Sequence, residues 1–180
     1  MRTTSRSVVI ALVSLVLAGA PHPAALAPAR PGDVTPRATG PQEVEVLAVM
    51  VDPRTETPAI VLERKRDRRR LAMVIGAAEA TGIAVPLRGV TPPRPLTHDL
   101  FLTLFGRLNV TLTRVVITDL RDDIYYATVH LTGAGGEMTL DSRPSDAIAL
   151  AIRARVPVLV EDRVFDKGGA APPAGRGPHI

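Results

Sequence analysis

Three short polar stretches interrupt apolar or small-residue surroundings, and they hold the side chains that could do chemistry. The first is Glu79, alone inside GAAEATGIA (76–84). The second is RPLTHD (94–99), with Arg94, Thr97, His98 and Asp99. The third is DSRPSD (141–146), with Asp141, Ser142, Arg143, Ser145 and Asp146. Carboxylate oxygens suit a hard divalent cation such as Mg²⁺ or Mn²⁺. A guanidinium suits a phosphate. An imidazole, with an ordinary pKa of about 6.5, can give or take a proton. Together these groups would support metal-assisted phosphodiester hydrolysis. Their spacing alone does not separate a nuclease from a phosphate-binding module.

Each stretch also has a plainer reading. Glu79 can be a solvated helix position. Thr97 can cap a helix, and Asp99 in its first turn gains about 0.3–1 kcal/mol from the helix dipole. Ser142 or Ser145 can cap the next helix, and Asp141 can pair with Arg143. Capping accounts for Thr97 and Asp99 but leaves His98 and Arg94 unexplained.

The elements that must position these side chains follow from periodicity. Glu43 to Val51 alternates and then runs apolar, a strand; Ala59 to Leu62 and Leu71 to Ile75 are two more. Ala77 to Val85 favours a helix that Pro86 ends, although Gly82 weakens it by about 1 kcal/mol relative to Ala. A helix from Thr97 to about Leu108 carries Leu100, Phe101, Leu104, Phe105 and Leu108 at helical spacing, which predicts a core-facing stripe. Strands follow at Val110 to Leu120, Ile124 to Leu131 and Glu137 to Leu140. A helix spans Asp146 to Arg155, and a short strand Pro157 to Val160 closes the order. Strand runs mixed with helices, without regular alternation, predict an α+β fold: a mixed, largely antiparallel sheet with about three helices in one compact domain.

Composition narrows the chemistry. The 180 residues are 46% hydrophobic and 22% charged, enough to build a core, so a wholly disordered chain is excluded. With no Cys, disulfides, thiolate zinc sites, iron–sulfur clusters and thiol nucleophiles are excluded. The formal net charge is +4, yet from Glu43 to Lys167 there are 17 basic and 17 acidic residues, so the excess lies at the chain ends. Within the core RKRDRRR (64–70) stands out, with six basic residues and one acid. It reads either as a phosphate-attracting loop through Arg66, Arg68, Arg69 and Arg70 or as a solvated hairpin tip. The five aromatics between 43 and 167 are Phe101, Phe105, Tyr125, Tyr126 and Phe165. Several have core-facing spacing, which argues against a stacking platform for single strands.

The ends have their own signatures. Arg2 and Arg6, the apolar run VVIALVSLVLAGA (8–20) and Ala25-Leu26-Ala27 match a secretory signal, with cleavage expected near Ala27. The alternative is an uncleaved membrane anchor. Residues 28–42 and 168–180, rich in Pro, Ala and Gly, are expected to be a disordered linker and tail around a folded domain at 43–167. The mature chain is expected to be exported, periplasmic or secreted, and to have no membrane span.

RPLTHDL (94–100) and DSRPSDAIALAIR (141–153) resemble the signatures of the bifunctional nuclease (BFN) domain family. The features IG-x-x-EA (75–80), VVITDL (115–120) and VPVLV (156–160) fall in the same order. The resemblance covers about Glu43 to Phe165. It implies a compact α+β domain, commonly oligomeric, that cleaves DNA and RNA. The resemblance carries Glu79, Arg94, Thr97, His98, Asp99, Asp141, Arg143, Ser145 and Asp146 over as motif positions, and their roles are read from their chemistry: Glu79, Asp141 and Asp146 are expected to hold a divalent metal, Mg²⁺ or Mn²⁺. His98 is expected as general acid or base and Asp99 as its orienting or metal-assisting partner. Arg94 and Arg143 are expected to hold phosphate. The alternatives are a non-catalytic oligomeric interaction or regulatory domain built on the same motifs and, further off, a small phosphatase.

Overall fold

The computed structural model describes residues 40–168. By contacts the chain divides at 37/38, and all described residues belong to the second unit. The expected signal at 1–27, the linker up to 39 and the tail from 169 lie outside the described residues. Gln42, expected in the linker, already begins the first strand.

Among the described residues seven strands form one sheet. They are β1 (Gln42–Val51), β2 (Pro58–Arg64), β3 (Arg70–Val74), β4 (Thr111–Arg121), β5 (Ile124–Gly133), β6 (Gly136–Ser142) and β7 (Val158–Val160). Their order is β3-β2-β1-β7-β4-β5-β6. Every pairing is antiparallel except β4 with β7. Short turns make β1–β2–β3 and β4–β5–β6 two meanders, and β7 joins them at the centre. The α+β, largely antiparallel expectation is met.

Among the described residues four helices accompany the sheet: α1 (Ala77–Leu87), α2 (Thr97–Arg107), α3 (Pro144–Ala154) and α4 (Asp162–Lys167). α3 is the central one. It leaves edge strand β6, packs on α1, α2, β4 and β5, and delivers the chain to β7 in mid-sheet. Its small and apolar residues suit that place: Ala147, Ile148, Ala149, Leu150 and Ala151 are all buried. Pro144 opens α3, where its missing N–H costs nothing, and Arg155 ends it in the left-handed conformation (φ 56°). α4 was not expected. Six residues are too few for a periodic signal, and its Val164 and Phe165 are fully buried.

Two local expectations change. Thr97 does not cap α2. Leu96 holds the N-cap position, and its backbone N–H donates to the Asp99 carboxylate at 2.8 Å. Nor does a serine cap α3, whose N-cap is Arg143. The larger correction concerns α2 as a whole, because none of its residues is buried. Leu102 and Phe105 rest partly on the core, while Leu100, Phe101, Leu104 and Leu108 are exposed. The apolar stripe is real, but no described element of this chain covers it.

Candidate active site

The C-terminal end of β6, the start of α3 and the first turns of α1 and α2 meet around a cleft of ≈ 490 Å³. Its polar lining is Glu79, Thr97, His98, Asp141, Ser142, Arg143 and Asp146. Its apolar lining includes Phe101, Phe105, Val129, Leu140 and Leu150. The three polar stretches of the sequence therefore open onto one space.

Arg143 connects them. Its Nε donates to Asp146 Oδ2 at 2.7 Å, and its Nη1 donates to Glu79 Oε1 at 2.7 Å. The other Asp146 oxygen, Oδ1, lies 3.2 Å from His98 Nε2. The result is a chain Glu79–Arg143–Asp146–His98 across three helix starts. Glu79 sits at the third position of α1, and its carboxyl is held below the ordinary glutamate range, first by its own backbone N–H and then by Arg143. For Asp146, burial pushes the carboxyl up, but the hydrogen bonds from Arg143 and His98 outweigh it and the net shift is downward. Hydrogen bonds to Asp146 and Glu79 push the Arg143 guanidinium further up. An ionised carboxylate can only accept, so the 3.2 Å contact makes His98 Nε2 a donor in the resting site.

Gly82 of α1 lies against the adjacent Cε1–Nδ1 edge of the imidazole. A Cβ at that position would lie 3.0 Å from His98 Cε1 and 3.3 Å from Nδ1. A mid-helix glycine is unfavourable on propensity alone; here it makes room for the ring. Behind it, Arg153 of α3 donates to Asp99 Oδ1 at 2.8 Å, to the Gly82 carbonyl at 2.6 Å and to the Ala149 carbonyl at 2.9 Å. The Arg153 side chain is only 7% exposed, so this guanidinium ties α1, α2 and α3 together beneath His98. Arg153 was not among the expected site residues. One signal was available: an arginine inside an apolar helix stretch, seven residues after Asp146 and so on the same helical face.

Other expected residues sit elsewhere. Asp99 does not line the cleft; its two oxygens are taken by the Leu96 N–H and Arg153, so it fixes α2 and makes no hydrogen bond to His98. Arg94 is exposed and outside the cleft lining. Asp141 lines the cleft, with no hydrogen bond or ion pair among the described residues. The basic run lies at the β2–β3 turn, and none of it lines the cleft. Arg64 bonds Asp67 and Asp162, and its guanidinium stacks 4.7 Å from the Phe165 ring centre. Arg68 and Arg70 both pair with buried Glu63 at 2.8 Å, and Arg69 reaches Asp166 and the Phe165 carbonyl. Lys65 pairs with Glu43. Only Arg66 of this run makes no ion pair among the described residues. The run chiefly anchors α4 and the β2–β3 turn.

The metal expectation depends on where the oxygens point. Arg143 takes one oxygen each from Glu79 and Asp146. Among the described residues no group of three or more His, Asp or Glu side chains gathers closely enough to hold an ion. As arranged, Glu79 and Asp146 each give one oxygen to Arg143 and do not gather with Asp141 into the oxygen set that Mg²⁺ or Mn²⁺ takes.

The profile of the bifunctional nuclease domain matches residues 60–172. The chain belongs to the bifunctional nuclease domain family. An uncharacterized protein of Mycobacterium tuberculosis is 37% identical over 127 residues, 71% of this chain and 76% of that protein. Bifunctional nuclease 1 of Oryza sativa subsp. japonica and Bifunctional nuclease of Oryza minuta are each 33% identical over 116 residues, 62% of this chain. The match spans 35% of each rice protein, so about a third of their length has its counterpart here. The matched region of the family contains every residue that lines the cleft.

Proposed function

We propose that this domain hydrolyses phosphodiester bonds of DNA and RNA at the Glu79–Arg143–Asp146–His98 cleft. The observation that supports this most is the convergence of His98, Arg143, Asp146 and Asp141 in one open space within a nuclease-family domain. Arg143, whose side chain is 64% exposed, is free to exchange a carboxylate for a substrate phosphate. Asp141, which has no hydrogen bond or ion pair among the described residues, accepts the proton of the attacking water. The water oxygen bonds to phosphorus as the bond from phosphorus to the leaving oxygen breaks. His98, as the imidazolium, turns its Nε2–H from Asp146 to that oxygen and protonates it, leaving neutral imidazole. Before the transfer the Asp146 carboxylate stabilises the imidazolium. Solvent then returns a proton to His98 and removes one from Asp141.

Assistance by Mg²⁺ or Mn²⁺ belongs to this proposal only for a rearranged site in which Arg143 has left both carboxylates. No step above depends on it. Export of the chain rests on the pattern at 1–27, and self-association on the part of the α2 stripe outside the cleft lining, Leu100, Leu104 and Leu108; both are part of the proposal. Among the described residues no helix is long and apolar enough to cross a membrane.

The reading is tested with labelled DNA and RNA strands and purified protein, with EDTA and with added Mg²⁺ or Mn²⁺. Wild type should release fragments from both nucleic acids, and His98→Ala should lower turnover by about 10²–10⁴. An equally active His98→Ala protein would remove His98 from the chemistry. An alternative, a non-catalytic interaction domain, is favoured only by the uncovered apolar stripe of α2, and it predicts no hydrolysis under any of these conditions.

A further inference from the structure

The apolar lining of the cleft has no part in the proton transfers above, and its composition is unusual for this chain. The protein has three phenylalanines. Phe165 is fully buried, while Phe101 and Phe105 line the cleft, and Phe101 is 48% exposed. Their rings form an edge-to-face pair, with centroids 6.3 Å apart and planes at 62°. Leu140 of edge strand β6 faces the same space and is exposed too. A large aromatic ring left half in water beside His98 and Arg143 is costly unless something flat and apolar covers it.

We propose that Phe101, Phe105 and Leu140 receive an unpaired base of the substrate strand while Arg143 takes the adjoining phosphate, so that single-stranded nucleic acid is the preferred substrate class. This rests on the phosphodiesterase reading and deepens it. Three observations favour that occupant. The cleft, at ≈ 490 Å³, is the size of a pocket for one small ligand and not for a double helix. In a duplex the bases are stacked and paired, so engaging the apolar lining means extruding one, a cost that a single strand avoids. The charge balance points the same way. Glu79, Asp141 and Asp146 stand against one guanidinium in the lining. A duplex, with one phosphate per about 1.7 Å of axis, brings more negative charge to that rim than a single strand does. The apolar lining has no side-chain donor or acceptor to read base edges or a ribose hydroxyl, so neither sequence nor sugar is selected there.

The test uses the full-chain protein and its Phe101→Leu variant, which keeps apolar bulk but loses the ring. The probes are a short DNA strand carrying 2-aminopurine, the RNA equivalent, and each strand paired with its complement. Wild type should cleave the single strands faster than the duplexes and quench 2-aminopurine on binding. Phe101→Leu should raise KM on single strands by about 5- to 150-fold, the value of one stacked base, with kcat and melting temperature unchanged. Equal cleavage of strand and duplex would overturn the proposal, as would an unchanged KM in Phe101→Leu. So would a wild-type oligomer that Phe101→Leu turns into a monomer, because a second copy would then be what covers the ring. If no nucleic acid is cleaved but quenching is present and lost in Phe101→Leu, the base site stands and the phosphodiesterase reading falls.

Discussion

Gly82→Ala is the smallest change that reaches the proposed chemistry, since it adds one methyl group outside the cleft. The new Cβ would lie 3.0 Å from His98 Cε1 and 3.3 Å from Nδ1, against an optimal separation of about 3.5–4.0 Å. The imidazole must therefore retreat by about half an ångström or more. Moving away from α1 disturbs the contact of Nε2 with Asp146, which at 3.2 Å is already at the long end for a hydrogen bond. Two stability effects oppose each other: overpacking costs about 1–3 kcal/mol, and replacing a helix-interior glycine by alanine returns about 1 kcal/mol. The net loss is expected at about 0–2 kcal/mol, too little to unfold the domain. Turnover is more sensitive, because a misplacement of about 1 Å can cost 10²-fold. The assay pairs urea denaturation with kcat for Gly82→Ala, His98→Ala and the double variant. In the His98→Ala background the clash has gone, so adding Gly82→Ala should stabilise by about 1 kcal/mol and leave residual turnover unaltered. Gly82→Ala with wild-type turnover, or the same destabilisation in both backgrounds, would refute the reasoning.

Other expectations follow from the same geometry. Replacing Arg68 and Arg70 by Gln leaves Glu63, 2% exposed, without its cations; urea unfolding should show a loss of about 1–3 kcal/mol, the cost of a buried polar group left unpaired. Arg66→Gln should leave stability unchanged, and if Arg66 touches a phosphate it should reduce the salt slope of duplex binding by about 0.9. Asp119 is held well below the ordinary aspartate range, first by Lys167 and then by Arg121. A lowered folded pKa means that this stabilisation is complete above the unfolded value of about 3.9 and is lost as pH falls through the folded one. Lys167→Met should therefore flatten the acid limb of stability against pH in thermal melts. Phe165→Ala, which empties a fully buried site, should cost about 3–5 kcal/mol by denaturation.

Much of the fold could be read from the chain because strand alternation and turn residues are local signals. β4 and β5 are long runs of β-branched residues around a tight Asp122-Asp123 turn, where both residues have positive φ, and their hairpin was expected. The helix α2 shows the limit of periodicity. A stripe of Leu and Phe proves that one face is apolar, but not that the same chain covers it, and Leu100 and Leu108 are more than 60% exposed. The site was partly legible for a similar reason. His98 and Arg143 stood out, with Arg94 and Asp141, as polar groups that capping did not explain, whereas Asp146 could be put down to the helix dipole. Asp99 was misplaced because adjacency to His98 in sequence says nothing about direction; successive helix residues do not share a face. The basic run stayed open between a phosphate-attracting loop and a hairpin tip, since its Arg residues have partners in α4 and in Glu63 that no local pattern reveals. Gly82 was read only as a weak point of its helix, and its purpose appears once the His98 ring is seen against it.

The central claim is that His98, Asp146 and Arg143 act as one unit on a phosphodiester bond. A double-mutant cycle on DNA and RNA hydrolysis tests it most directly, with kcat measured for His98→Ala, Asp146→Asn and the combined variant. Each single variant is expected to lose about 10²–10⁴ in turnover, and the combined variant no more than the worse single, because members of one unit are not additive. Losses that multiply, or single variants that are folded and fully active, would contradict the account.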